Sequence, residues 1–219
     1  MSSNNTTLSP RRIIFSLISF AIIPFAANSI SSIIHNDVVA FTLAIHFSSI
    51  LLFWLNWDLV AIHFHRFIEE WKECSFFVLI GSCILGLMFF LNATYFHAYT
   101  LTVNVEDISA ISFFIPLILF AYCVLYASVY LITFKCLSDR LVIKKAELTV
   151  IFFSSFLFSL FFTVCFVPFD ALAWVKAYFF YFFVTIILSY LYNQTKSLMT
   201  SLVAFTIVLL VVNCIILFL

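Results

Sequence analysis

The stretch Ala177-Tyr-Phe-Phe-Tyr-Phe-Phe-Val-Thr-Ile-Ile-Leu-Ser-Tyr-Leu-Tyr192, then Asn193-Gln-Thr-Lys196, then Ser197 to Leu219, is two apolar runs parted by four polar residues. A helix needs about 20 largely apolar residues to cross roughly 30 Å of hydrocarbon. The second run has that length by itself. The first reaches it by borrowing Ala171 to Val175. A connection this short favours antiparallel neighbours in one bundle.

The same punctuation recurs upstream, at Ile13–Ile34, Val38–Trp57, Ser75–Tyr95, Ala110–Phe134 and Leu148–Pro168. Composition agrees: 65% of residues are hydrophobic, 9% are charged, and the mean hydropathy is +1.22. Soluble domains carry about 25% charged residues, so the bilayer has to be the solvent. The expected fold is all-α, a polytopic transmembrane bundle of about seven spanning helices. Residues 1–12 form a short cytoplasmic tail and residues 13–219 a single bundle. Arg11-Arg12 ahead of an apolar run also suits a signal peptide cut near Ala27. That run is longer than a signal core and six more follow, so it reads as the first span.

Lys and Arg set the orientation, because basic loops stay in the cytoplasm. Arg11, Arg12, Arg66, Lys72, Lys135, Arg140, Lys144, Lys145 and Lys196 fall in the tail and in alternate connections, leaving Lys176 alone on the other side. Nine against one predicts the N-terminus inside and the C-terminus outside. The abundance of Phe, Ile and Asn points to an AT-rich genome and a bacterial plasma membrane.

Chemistry-bearing residues are sparse. The six cysteines, at 74, 83, 123, 136, 165 and 214, show no Cys-x-x-Cys spacing and read as buried apolar thiols. His63 and His65 point to nearly opposite faces of a helix, and a metal site made with His46 is disfavoured. Glu69 and Glu70 lie in His63-Phe-His-Arg-Phe-Ile-Glu-Glu-Trp-Lys-Glu73, which reads as an amphipathic helix along the membrane interface with Trp71 as anchor. The last four spans contain no Asp, Glu, His or Arg away from their ends, which argues against an ion-coupled pump. Neither cofactor nor metal is expected, and no nucleic-acid partner.

The C-terminal third resembles the closing segment of the CAAX-protease and bacteriocin-processing family of intramembrane proteases (CPBP, or ABI). In that family a helix with two small residues four apart leads into a Gly-Tyr-x-Tyr-like end, a Thr-x-Ser-Leu turn and a final helix beginning Ser-Ile-x-x-His-x-x-x-Asn. Here these are Thr185 and Ser189, Tyr190-Leu-Tyr192 and Thr195-Lys-Ser-Leu198. Upstream, Tyr130-Leu-Ile-Thr-Phe-Lys135 is similar to the family's Glu-Glu-x-x-x-Arg stretch, and Phe158-Ser-Leu-Phe-Phe162 to its Phe-x-x-x-His stretch. Lys135 and Phe162 keep the family's separation, 27 positions. Asn104-Val-Glu-Asp-Ile108 and Pro116 resemble the run-up to the first motif. The likeness covers residues 66–219.

The departures fall on the catalytic positions that the resemblance implies. Tyr130 and Leu131 stand for the paired glutamates, Lys135 for the arginine, Phe162 and Phe205 for the histidines, and Leu209 for an asparagine. Phenylalanine neither moves a proton, binds a metal nor donates to an oxyanion, and each loss of that kind costs orders of magnitude in rate. The resemblance therefore implies a pseudoenzyme that acts by binding a hydrophobic peptide or a partner membrane protein, with bacteriocin self-immunity as one such role. An active endopeptidase would need Glu69, Glu70, His63 or His97 to reach the interior. A small transporter or scaffold subunit would use Asn28, Asn56, Asn92 and Asn213 between helices. Tyr130, Phe162, Phe205 and Leu209 are expected to converge in one interior patch.

Overall fold

A computed structural model describes residues 9–35, 37–98, 147–167 and 170–218. Every regular element among them is helical: α1 (Pro10–Ala21), α2 (Ile23–Ile34), α3 (Asp37–Leu55), α4 (Trp57–Glu69), α5 (Trp71–Leu91), α6 (Glu147–Phe166), α7 (Ala171–Thr195) and α8 (Leu198–Phe218). The predicted fourth span, Ala110–Phe134, lies outside the described residues. Among the described residues two helices are long and apolar enough to cross a membrane, Trp71–Phe96 and Ala171–Thr195, or up to four if each of two bent pairs is one span. α6 and α8 contribute the shorter apolar helices Ile151–Val164 and Leu198–Val212.

α7 includes the borrowed residues. It starts at Asp170, whose extended backbone turns its carboxylate onto the N–H of Ala173 at 2.9 Å. Such a cap contributes about 1 kcal/mol. α7 ends at Lys196, which takes a left-handed conformation at φ 50°.

The first predicted span, Ile13–Ile34, is not one continuous helix. It breaks at Ile22 and bends by 40°. Pro24 explains the break, since it has no N–H for the carbonyl of Phe20 and its ring crowds that turn. A second break separates α3 from α4 at Asn56, where the chain turns through 84°. The Leu52 carbonyl accepts both the Asn56 backbone N–H (3.1 Å) and the Asn56 side-chain amide (3.0 Å), so the α3 ladder runs up to Asn56. α4 begins anew where the N–H groups of Leu59 and Val60 donate to the Asn56 carbonyl at 3.0 Å. The charged stretch expected at the interface is thus a helix of its own, set crosswise to α3. α5 ends in a single π-turn, Asn92–Phe96. There the buried Asn92 side chain accepts from the N–H of Ala98 at 2.9 Å and donates to its carbonyl at 3.3 Å.

α5, α7 and α8 pack on one another, α6 lies against α7, and α2 against α3. α5 and α7 are in close contact at Gly81, because a Cβ there would run into the Leu191 side chain. The Ser201 hydroxyl donates to the Leu188 carbonyl at 2.8 Å and pins α8 to α7. One contiguous apolar core joins Ile23 and Leu52 to Phe158, Leu188 and Phe205. Cys74 is buried as expected, whereas Cys83 is exposed on α5. A thiol is a small apolar group and suits an apolar surface as well as a core.

Arg12 of α1 and Asp58 of α4 are tied by an ion pair of 2.8 Å. The Arg12 hydrogen bond holds the Asp58 carboxyl below the usual carboxylate range. A lowered folded value means that the pair stabilises the fold fully above about pH 4 and is lost as the pH falls through that lowered value. Both side chains are substantially exposed, so the whole effect is up to about 1 kcal/mol. Asp58→Asn is expected to lower the unfolding midpoint slightly at pH 7. The gap from wild type should close on acidification.

Candidate functional site

Three of the motif positions lie in described helices, and all three are interior. Phe162 on α6 is 0% exposed, Phe205 on α8 is 1% exposed and Leu209, one turn further along α8, is 5% exposed. They belong to the same apolar core. The other three, Tyr130, Leu131 and Lys135, lie outside the described residues.

Aromatic rings carry the connection between α6 and α8. Phe162 stacks tilted on Tyr181 of α7, with ring centroids 4.1 Å apart, and Tyr181 sits edge-on to Phe180 at 5.2 Å. Phe180 meets Phe89 of α5 edge-to-face at 5.1 Å, and Phe89 reaches Phe205 at 6.4 Å. Phe158 completes the α6 side, 6.1 Å from Phe162. Aromatic pairs contribute about 0.5–1.5 kcal/mol beyond their area burial. Four helices are therefore stapled through ring contacts at the place where the resemblance puts catalytic groups. Phe89, Phe180 and Tyr181 carried no signal in the sequence. α5 and α7 are apolar all round, so no periodicity marks which ring faces inward.

The small pair Thr185 and Ser189 is fully buried. Thr185 donates to its own helix, at the carbonyls of Tyr181 (2.9 Å) and Phe182 (2.8 Å), so its hydroxyl is satisfied without a partner helix. Ser159 and Thr163 are buried beside Phe158 and Phe162 on α6, and their hydroxyls meet no hydrogen-bond partner among the described residues. A hydroxyl left so in an apolar interior is destabilising.

The turn Thr195–Leu198 is held from two sides. The Thr195 hydroxyl donates to the Leu191 carbonyl at 3.0 Å and accepts from the N–H of Ser197 at 3.3 Å. The Ser197 hydroxyl donates to the His63 carbonyl of α4 at 2.9 Å, and His63 Nδ1 lies 3.2 Å from the Lys196 carbonyl. The His63 ring also stands edge-on to Tyr192 at 5.6 Å.

The residues that a replacement catalytic centre would need are elsewhere. Glu69 and Glu70 are exposed on the crosswise helix and its end, where they pair with His65 at 3.1 Å and Arg66 at 3.6 Å. His97 is exposed beyond the π-turn, and His63 is occupied with the α7–α8 turn. Asn28 is exposed and Asn92 bonds locally at the end of α5, while the Asn56 amide donates to the Leu52 carbonyl of α3 and reaches the Ser16 hydroxyl of α1 at 3.5 Å. Among the described residues no three His, Cys, Asp or Glu side chains gather as a metal site would require. Of the six rings that link α5, α6, α7 and α8 (Phe89, Phe158, Phe162, Phe180, Tyr181 and Phe205) only Tyr181 carries a polar atom, so the patch offers shape and dispersion rather than proton transfer.

No protein-family model, no curated protein and no solved structure matches this chain.

Proposed function

We propose that this chain is a non-catalytic relative of the CAAX-protease-like intramembrane proteases that acts by binding a hydrophobic peptide or a partner membrane helix. It spans a bacterial plasma membrane seven times, with the N-terminus inside. The single observation that supports this reading is the burial of Phe162, Phe205 and Leu209 in one core linked by ring contacts. Apolar side chains at those positions keep an apolar interface suited to a membrane-inserted ligand while dispensing with water activation. The orientation rests on the nine-to-one division of basic residues.

Two measurements test it. Purified chain incubated with prenylated and with hydrophobic peptides is expected to cut no bond, while a photoactivatable hydrophobic peptide crosslinks to α6 or α8. Turnover that Glu70→Ala abolishes would overturn the reading. For the topology, a phosphatase fused after His35 is expected to be active and one fused after Lys196 inactive; the reverse pattern refutes the orientation.

A further inference from the structure

The crosswise helix α4 has three distinct faces. Placed at 3.6 residues per turn, Leu59, Val60, His63 and Phe67 share one side, which is buried or half-buried against α8 and α5. Asp58, His65, Arg66 and Glu69 share a second, mostly polar side with the exposed Ile62, and there His65 meets Glu69 and Arg66 pairs with Glu70. The third side carries Trp57, Ala61, Phe64 and Ile68, which fall within about 60° of one another around the axis. Trp57 is 60% exposed, and Phe64 and Ile68 are each 54% exposed. An apolar flank of that size facing water is costly.

The charge pattern decides what covers this flank. An apolar strip with a tryptophan at one end and a charged strip beside it suits the boundary between headgroups and acyl chains, where indole rings settle. The 84° turn out of α3 sets α4 in the plane of that boundary when α3 follows the membrane normal. Trp71 and Lys72, at the start of α5, follow α4 directly, with the Lys72 ammonium 5.9 Å from the Trp71 indole centroid. The inner side of α4 meanwhile holds the α7–α8 turn through His63, whose ring nitrogen and carbonyl each engage it.

The geometry points to α4 as a membrane-seated strap: its Trp57–Ile68 flank docks on the lipid surface of one leaflet, and through His63 it latches the Lys196 turn. When α4 leaves the leaflet, the turn is released. The bilayer thereby acts on the hairpin that carries Tyr181 and Phe205. This inference does not depend on the peptide-binding reading.

The test uses the full chain in phosphatidylcholine nanodiscs, which leave both membrane faces open. Trypsin cleavage after Lys196 attacks the very carbonyl that His63 holds, and it liberates an N-terminal Ser197 detectable by mass. Wild type is expected to be cut slowly there. His63→Ala, and separately the double variant Phe64→Asp/Ile68→Asp, should raise that rate tenfold or more, with His65→Ala on the charged side unchanged. Helix content by circular dichroism must match wild type in each. As a second readout, a variant keeping Trp57 alone (Trp54, Trp71 and Trp174→Phe) is quenched by phosphatidylcholine brominated near the headgroup. Unquenched Trp57 fluorescence, meaning that water or protein covers the flank, overturns the strap. So does a cleavage rate at Lys196 that Phe64→Asp/Ile68→Asp leaves unaltered, or one that His65→Ala raises equally.

Discussion

Phe162→Ala is expected to lower the stability of the folded chain by about 2 kcal/mol, and the reason is specific to a membrane interior. In water, Phe→Ala in a core costs about 3–5 kcal/mol, part of it from exposing the ring to solvent in the unfolded chain. In a bilayer the unfolded helices still lie in lipid, so that transfer part falls away and packing remains. A cavity of about 100 Å³ at roughly 24 cal/mol per Å³ leaves the value stated. Phe179→Ala is the control: its side chain is largely exposed on α7, and its loss is expected to cost nearly nothing. Thermal unfolding in detergent micelles reads both. Equal losses would mean that Phe162 is not a packing centre. Tyr181→Ala combined with Phe162→Ala should cost less than the sum of the two, because the rings share one contact of 4.1 Å.

Gly81→Val and Gly86→Ala should move stability in opposite directions. At Gly81 a Cβ runs into the Leu191 side chain, which is itself fully buried and has nowhere to swing. Valine there forces α5 and α7 apart, an overpacking that costs about 1–3 kcal/mol. At Gly86 a Cβ meets nothing within 4 Å. Alanine there should stabilise the helix by roughly 0.5–1 kcal/mol through reduced backbone freedom. Both variants are read by the same unfolding assay. A neutral Gly81→Val would show that α5 and α7 are not in close contact.

Several elements follow from sequence alone. The runs at Ser75–Tyr95, Ala177–Tyr192 and Ser197–Leu219 fall in helices α5, α7 and α8, because uninterrupted apolar residues in a bilayer must satisfy every backbone group within the segment. His63–Glu73 was set apart as an interfacial stretch by its charges, and α4 with the first turn of α5 occupies it. The breaks at Ile22 and Asn56 leave no mark in the hydropathy of their runs. Pro24 is a visible cause for the first. The second falls at a buried Asn56 whose side chain meets both the Leu52 carbonyl and Ser16 of α1, contacts that composition does not reveal.

The inward positions of the candidate site divide in the same way. Phe162 and Phe205 were singled out by spacing and resemblance, but Phe89, Phe180 and Tyr181 stand in runs such as Tyr178-Phe-Phe-Tyr-Phe-Phe183, where every neighbour is as aromatic as they are. Hydropathy tells a helix that it lies in lipid; it does not tell a ring which side of the helix is lipid. That distinction comes from shape: Gly81 admits Leu191, Ser201 holds Leu188, and Phe180 meets Phe89 edge-on.

The helical, membrane-embedded character of the chain and the approximate reach of its long helices were thus determined by the amino-acid sequence, since exposed peptide groups are too costly in hydrocarbon for any other outcome. Which of its 31 phenylalanines form the interior, where α3 turns aside into α4, and that His63 holds the Lys196 turn were decided only by the tertiary structure. Contacts between apolar helices in lipid are selected by packing fit and a few hydrogen bonds, and neither is written in the order of hydrophobic residues.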